Sequence, residues 1–138
     1  MRLEINNLEE LNKVIAVILP RIKQNCCLIL DGEMGAGKTT FSKYLLQEMG
    51  LKELVTSPTF TIMNQYQIKE LKINHIDAYR LSLQEDGEMY LEEMINSFNI
   101  IEWSQNLAID YFNYFNVIKI SIEIINENKR IFIIEETK

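Results

Sequence analysis

Apolar residues recur along this chain in two rhythms, and each change of rhythm marks an element. Met1 to Ile5 reads as a short strand. Leu8, Leu11, Ile15, Ile18 and Ile22 then return three or four positions apart, the spacing that lines one face of a helix. Asn7 is the predicted N-cap, with Glu10 at the third helical position, and Pro20 should end or kink the helix. Cys26 to Leu30 is a continuous apolar run of buried-strand length. From Thr39 to Met49 the period is helical again, with Phe41, Leu45 and Met49 four apart and Gly50 as the expected stop.

The second half of the chain is richer in alternation. Ser57-Pro58 reads as a turn, after which Phe60, Ile62, Tyr66 and Ile68 alternate with Thr61, Met63, Gln65 and Gln67 in a half-buried strand. Leu71 to Tyr79 follows closely enough to form a hairpin with it. Residues 84 to 96 look helical, and Glu85, Asp86, Glu88, Glu92 and Glu93 give that helix a solvated face. Phe98 to Glu102 is a short apolar strand. Ile118, Ile120, Ile122 and Ile124 alternate with Lys119, Ser121 and Glu123, a turn occupies Asn126 to Asn128, and Ile131 to Ile134 returns as the second arm of a hairpin at a sheet edge. Strands alternating with helices predict an α/β protein with a mainly parallel central sheet, antiparallel edge strands and flanking helices, over residues 1–138 as a single domain.

The segment between the first buried strand and its helix carries the chemistry. Gly32, four residues, then Gly37-Lys38-Thr39 is the spacing of a Walker A loop, and its strand-before, helix-after context is the one that loop requires. Gly32, Gly35 and Gly37 let the backbone turn tightly enough for successive N–H groups to face phosphate oxygens at the positive end of a helix. The predicted nucleotide-binding set is Gly32, Glu33, Met34, Gly35, Ala36, Gly37, Lys38, Thr39 and Thr40, with Lys38 reaching the β- and γ-phosphates and the Thr39 hydroxyl ligating Mg²⁺. Hydrolysis would also need an acid at the end of another strand. Asp77 and Glu102 both close apolar strands, and spacing alone does not rank them; each is also what an ordinary solvated strand-end acid looks like.

Composition narrows the partners. The net charge is −6 and the chain holds only four arginines, which argues against gripping nucleic acid unaided. The N-terminus lacks an apolar signal core and no apolar run approaches membrane-spanning length, so a cytoplasmic protein without membrane contact is expected. Cys26 and Cys27 are neighbours in a strand and should point to opposite faces as buried reduced thiols. His75, the single histidine, reads as a structural strand residue. Tyr111, Phe112, Tyr114 and Phe115 have little basic interleaving and read as core and hairpin packing.

Four blocks, GEMGAGKTTF at 32–41, SPTFTIMNQY at 57–66, HIDAYRL at 75–81 and IEW at 101–103, together resemble the bacterial TsaE-type family, the ATPase component of tRNA threonylcarbamoyladenosine biosynthesis. The resemblance implies a P-loop NTPase fold with ATP and Mg²⁺ as cofactors. It implies that Lys38 and Thr39 are the phosphate lysine and Mg²⁺ threonine, that Glu102 is the metal-associated acid, and that Asp77 is the acid needed for hydrolysis. Thr59 falls in a switch-like segment near the γ-phosphate, and Trp103 matches an aromatic residue beside the nucleotide. The implied partners are a heterodimer of the threonylcarbamoyl-transfer protein and its paralogue, with tRNA met mainly through that complex. Met34, where the family has leucine, and Ser104-Gln105, where it favours proline and an acid, are departures. The implied activity is weak ATP hydrolysis that partners accelerate; a small-molecule kinase or a non-catalytic nucleotide-sensing adaptor are the alternatives.

Overall fold

The computed structural model describes residues 1–53, 62–81 and 87–137. The run from Cys26 forms the strand on which the fold is organised. That strand, β2 (Cys26–Asp31), follows β1 (Arg2–Ile5) and α1 (Leu11–Ile18), and precedes α2 (Lys38–Glu48). The β3–β4 hairpin (Met63–Ile68, Leu71–Asp77), α3 (Glu88–Met94), β5 (Phe98–Glu102), α4 (Tyr111–Tyr114) and the β6–β7 hairpin (Asn116–Ile124, Arg130–Thr137) complete the chain. The strands make one seven-stranded sheet in the order β1-β7-β6-β2-β5-β4-β3. β6, β2, β5 and β4 run parallel, while β1, β7 and β3 pair antiparallel outside them. The α/β class and the parallel centre with antiparallel flanks are therefore as predicted.

β2 is apolar at every position but its last because both its faces are covered. Cys26, Leu28 and Leu30 pack with Leu11, Ile15 and Ile18 of α1 and Phe41 and Leu45 of α2. Cys27 and Ile29 face the opposite layer, with Met94 of α3, Tyr111 of α4, Ile101 and Val117. The two cysteines thus part to opposite faces, both buried and free. α2 ends where Gly50 was expected to stop it: Gly50 takes φ 108°, its N–H donates to Gln47 O, and Leu51 N–H donates to Leu46 O at 2.9 Å, satisfying carbonyls the helix leaves open.

Several expectations need correction. The β6–β7 hairpin is not at the sheet edge, because β1 pairs along β7 from Arg2↔Ile133 to Ile5↔Arg130 and becomes the edge itself. Leu8 is 56% exposed and drops out of the helical stripe. A 3₁₀ turn over Leu8–Glu10 precedes α1 and turns Leu8 outward, so that Val14 joins Leu11, Ile15 and Ile18 on the buried face. The cap is built around Asn7 as read, with Glu10 N–H donating to Asn7 Oδ1, but the Glu10 carboxylate returns to the N–H of Asn6. Of the aromatic cluster, Tyr111 and Phe115 are buried while Phe112 and Tyr114 are exposed. Ser57-Pro58, Phe60 and residues 84–86 of the predicted helix lie outside the described residues.

Burial pushes the Cys26 thiol up to about 11 from an ordinary 9.0, and Cys27 further still. Native protein at pH 8 is expected to present no thiol to Ellman's reagent, and two after denaturation. Because the unfolded chain releases these protons first, stability should be full below pH 9 and fall as pH rises toward 11. A fast-reacting thiol in the native protein at pH 8 would contradict this packing.

Candidate functional site

Parallel strands deliver their C-terminal ends to one rim of the sheet, and three of those ends meet at the loop 32–37. The loop leaves β2 at Gly32, where a Cβ would stand 2.9 Å from the carbonyl oxygen of Ile122 and 3.2 Å from Ala36 Cβ. Only glycine allows the loop to pass β6 this closely. Gly37 enters the helix with φ 106°, a left-handed conformation that side chains disfavour, and its carbonyl takes the first helical bond from Phe41 N–H at 2.8 Å. The amides that open α2 have no acceptors within the helix, which makes this terminus an anion-binding position in principle.

Lys38, Thr39, Asp77, Glu102 and Trp103 converge there. With Met34, Gly35, Gly37, Thr40 and Tyr79 they line a cavity of about 340 Å³. Lys38 is folded inward, donating from Nζ to Gly32 O at 2.6 Å and lying 4.5 Å from the centre of the Trp103 ring. An ammonium so placed is stabilised by a carbonyl and a ring face, both weaker partners for it than a phosphate. The Thr39 hydroxyl stands 3.3 Å from each carboxylate oxygen of Glu102. Asp77 is opposite Glu102 in the β4–β5 register, and its Oδ1 accepts from Tyr79 N–H at 3.0 Å. Trp103 follows Glu102 directly with φ 61°, a strained backbone for a bulky residue, and its ring meets Tyr79 at 5.1 Å.

Behind this cavity lies a residue that sequence reading undervalued. His75 is a strand residue, as expected, but its Nε2 is 2.7 Å from Glu102 Oε2, with the two side chains 0% and 3% exposed. Its Nδ1 has no hydrogen-bond partner among the described residues. An unsatisfied buried polar atom costs about 1–3 kcal/mol. The available signal was the spacing of His75 and Asp77, two apart on one strand and therefore on one face.

The far side of the loop forms a second cleft of about 500 Å³, lined by Asn7, Leu8, Gly35, Gly37, Thr40, Arg130 and Phe132 among others. Arg130 donates from Nε to Ala36 O at 3.2 Å, fastening β7 to the loop. No local pattern in the sequence could have brought Arg130 or Asn7 to Gly35. Of the predicted loop residues, Glu33 is exposed and lines neither cleft, while Ala36 is buried and lines only the second, its N–H donating to Glu33 O at 3.0 Å. Thr59 lies outside the described residues.

Among the described residues no three acidic, histidine or cysteine side chains gather as a metal site. The Thr39 hydroxyl and Glu102 carboxylate are nevertheless a hard-oxygen pair of the kind that suits Mg²⁺, which keeps water or phosphate oxygens as its remaining ligands. A cation, a lysine and a helix terminus sharing one cavity can bind a polyphosphate, and a second strand-end acid can orient a water beside it.

Residues 5–132 match the family model for the threonylcarbamoyl adenosine biosynthesis protein TsaE. A tRNA threonylcarbamoyladenosine biosynthesis protein TsaE from Rickettsia felis is 34% identical over 130 residues, covering 92% of this chain and 75% of the relative. One from Bacillus subtilis is 34% identical over 100 residues, covering 71% of this chain and 63% of the relative. The crystal structure of Bacillus subtilis YdiB is similar in fold, with a TM-score of 0.72 and 24% identity, covering 96% of this chain and 82% of that one.

Gly32→Ala is expected to destabilise the fold by about 1–3 kcal/mol, because the added methyl meets backbone on β6 that cannot rotate away. Urea unfolding measures the change, and an unaltered midpoint would mean the loop and β6 are farther apart.

Proposed function

Because the chain belongs to the TsaE family of threonylcarbamoyl adenosine biosynthesis proteins, we propose that it is a P-loop NTPase that hydrolyses ATP with Mg²⁺ to drive a cycle of tRNA threonylcarbamoyladenosine formation. One observation carries the reading: Lys38, Thr39, Asp77 and Glu102 share a single cavity where the glycine loop opens α2. A glycine-rich turn with a surface lysine would leave that lysine in solvent, but Lys38 is 7% exposed.

Each residue then has a task. The loop and the first turn of α2 bind the phosphates through N–H groups. Lys38 exchanges its bond to Gly32 O for the β- and γ-phosphate oxygens, a stronger charge-assisted contact. Thr39 and Glu102 hold Mg²⁺, which when bound neutralises charge on the phosphates. Asp77, half-buried at the end of β4, orients the attacking water. Trp103 shields the lysine side of the cavity. The nucleoside lies in the 500 Å³ cleft across the loop, where Leu8 and Phe132 supply apolar surface and Asn7 and Arg130 polar groups. Thr59 is the switch residue on the family resemblance alone.

None of the four arginines lines the 340 Å³ cavity. Arg2 pairs with Glu4, Arg21 with Glu136, and Arg130 donates to carbonyls at 36, 126, 127 and 129. Without an arginine against the migrating phosphoryl group, hydrolysis by the chain alone is slow, and a partner completes the site. That partner is the threonylcarbamoyl-transfer protein with its paralogue, and tRNA is reached mainly through them, in keeping with a net charge of −6. Among the described residues no helix is long and apolar enough to cross a membrane, and the proposed setting is cytoplasmic.

Phosphate release from ATP should rise on titration with the heterodimer, toward the roughly 10³-fold scale that an arginine supplied in trans gives. Lys38→Ala should return it to background. Turnover indifferent to the heterodimer, or phosphate appearing on a small molecule, would favour a kinase.

The two acids should separate in a different measurement. Glu102→Gln is expected to weaken Mg²⁺-dependent binding of a fluorescent nucleotide as well as turnover, whereas Asp77→Asn should spare binding and lower hydrolysis. The reverse pattern would exchange their roles.

A further inference from the structure

Glu102 is the least solvated acid at the site, and what fixes its orientation is unequal on its two sides. Toward Thr39 the contacts are long, 3.3 Å to both oxygens, so the hydroxyl does not choose between them. Toward His75 there is one short contact, 2.7 Å between Nε2 and Oε2. In the tautomer that carries its hydrogen on Nε2, the ring donates to this carboxylate oxygen. The ring's other nitrogen is buried without a partner among the described residues. A side chain kept for packing would be cheaper as leucine or phenylalanine, because an apolar ring leaves no polar atom stranded. The polar identity of residue 75 is therefore explained by the one bond it does make.

We propose that His75 is a positioning residue: its Nε2–H fixes the Glu102 carboxylate against Thr39, so that the pair is oriented in advance for the divalent cation of a bound nucleotide. This rests on the reading of Thr39 and Glu102 as cation ligands given above. The arrangement follows from strand geometry. His75 and Asp77 lie on one face of β4, Asp77 is opposite Glu102 in register, and His75 is one step back along the same face, where its ring can reach across to β5. Partners that orient a ligating carboxylate influence metal affinity by about 10- to 100-fold.

The test uses the full chain and reads Trp103 fluorescence while MgCl₂ is titrated into protein saturated with a non-hydrolysable ATP analogue. A glutamine amide can stand where Nε2 stands, and an asparagine amide is too short to do so. His75→Gln should keep the Mg²⁺ midpoint within a few-fold of the parent's, while His75→Asn should raise it about 10-fold or more. Binding of the same analogue in EDTA should be alike in all three. Equal midpoints for the parent and His75→Asn would overturn the proposal. So would a loss in His75→Asn that is as large in EDTA as in Mg²⁺, since that is the signature of a merely structural residue. Thermal melts separate a misfolded variant from a folded one; if His75→Asn fails to fold, a His75→Gln midpoint shifted as far as that of Glu102→Gln overturns the proposal, and an unshifted one supports it. A parent protein whose analogue binding ignores Mg²⁺ altogether would instead remove the cation reading beneath it.

Discussion

The Glu102 carboxylate, 3% exposed at the end of β5, is the constraint around which this end of the molecule is arranged. A charge taken out of water costs several kcal/mol unless it is paired and hydrogen-bonded. The pairing here draws on two other elements, Thr39 from the first turn of α2 and His75 from β4. Holding one carboxylate in this way fixes where α2 begins relative to β5 and β4, and with it where the loop 32–37 must lie. The remaining architecture can be seen as support: β2 buried on both faces, and helices on either side to cover it.

Opposite the carboxylate, Lys38 is held by provisional partners. Its bond to Gly32 O and its position over Trp103 satisfy the ammonium without any anion, and Ala36 N–H is occupied by Glu33 O within the loop itself. On the proposed reading the lysine exchanges its carbonyl for phosphate oxygens. Trp103 is tied to both partners in that exchange, adjoining Glu102 in sequence and Lys38 in space, with its backbone held at φ 61°.

Much of this was legible in the chain because the signals are local. The β2 run, the glycine spacing and the period of α2 are contiguous, and each has a steric or hydrogen-bonding cause that acts over a few residues. Asp77 and Glu102 were legible as strand ends, and the parallel register brought them side by side. What could not be read depends on distant pairing. β1 covering β7, which removes the hairpin from the edge, and Arg130 reaching Ala36 across 94 positions leave no periodic trace. Leu8 failed because one turn of 3₁₀ helix shifts the phase of a helical stripe, which spacing arguments assume constant. His75 was placed correctly on a strand but read as inert, since a lone histidine suggests chemistry only once its neighbour is known.

The two clefts on either side of the loop divide the sheet's labour. The polar cavity draws on β4 and β5, while the cleft across Gly35 and Gly37 draws on β1, β7 and the turn into α1 through Ile5, Phe132, Asn7 and Leu11. A ligand long enough to span the loop would touch both halves of the sheet, and among the described residues the two clefts share Gly35 and Gly37 of the loop and Thr40 at the start of α2. Arg130 matters in that light, because its bond to Ala36 O links β7 to the loop within the second cleft, whose lining does not include Glu102. Any displacement of the loop at Ala36 would either carry β7 with it or stretch that bond. The antiparallel flank is thereby tied to the loop twice, through β6 and β2 of the continuous sheet and through the Arg130 side chain.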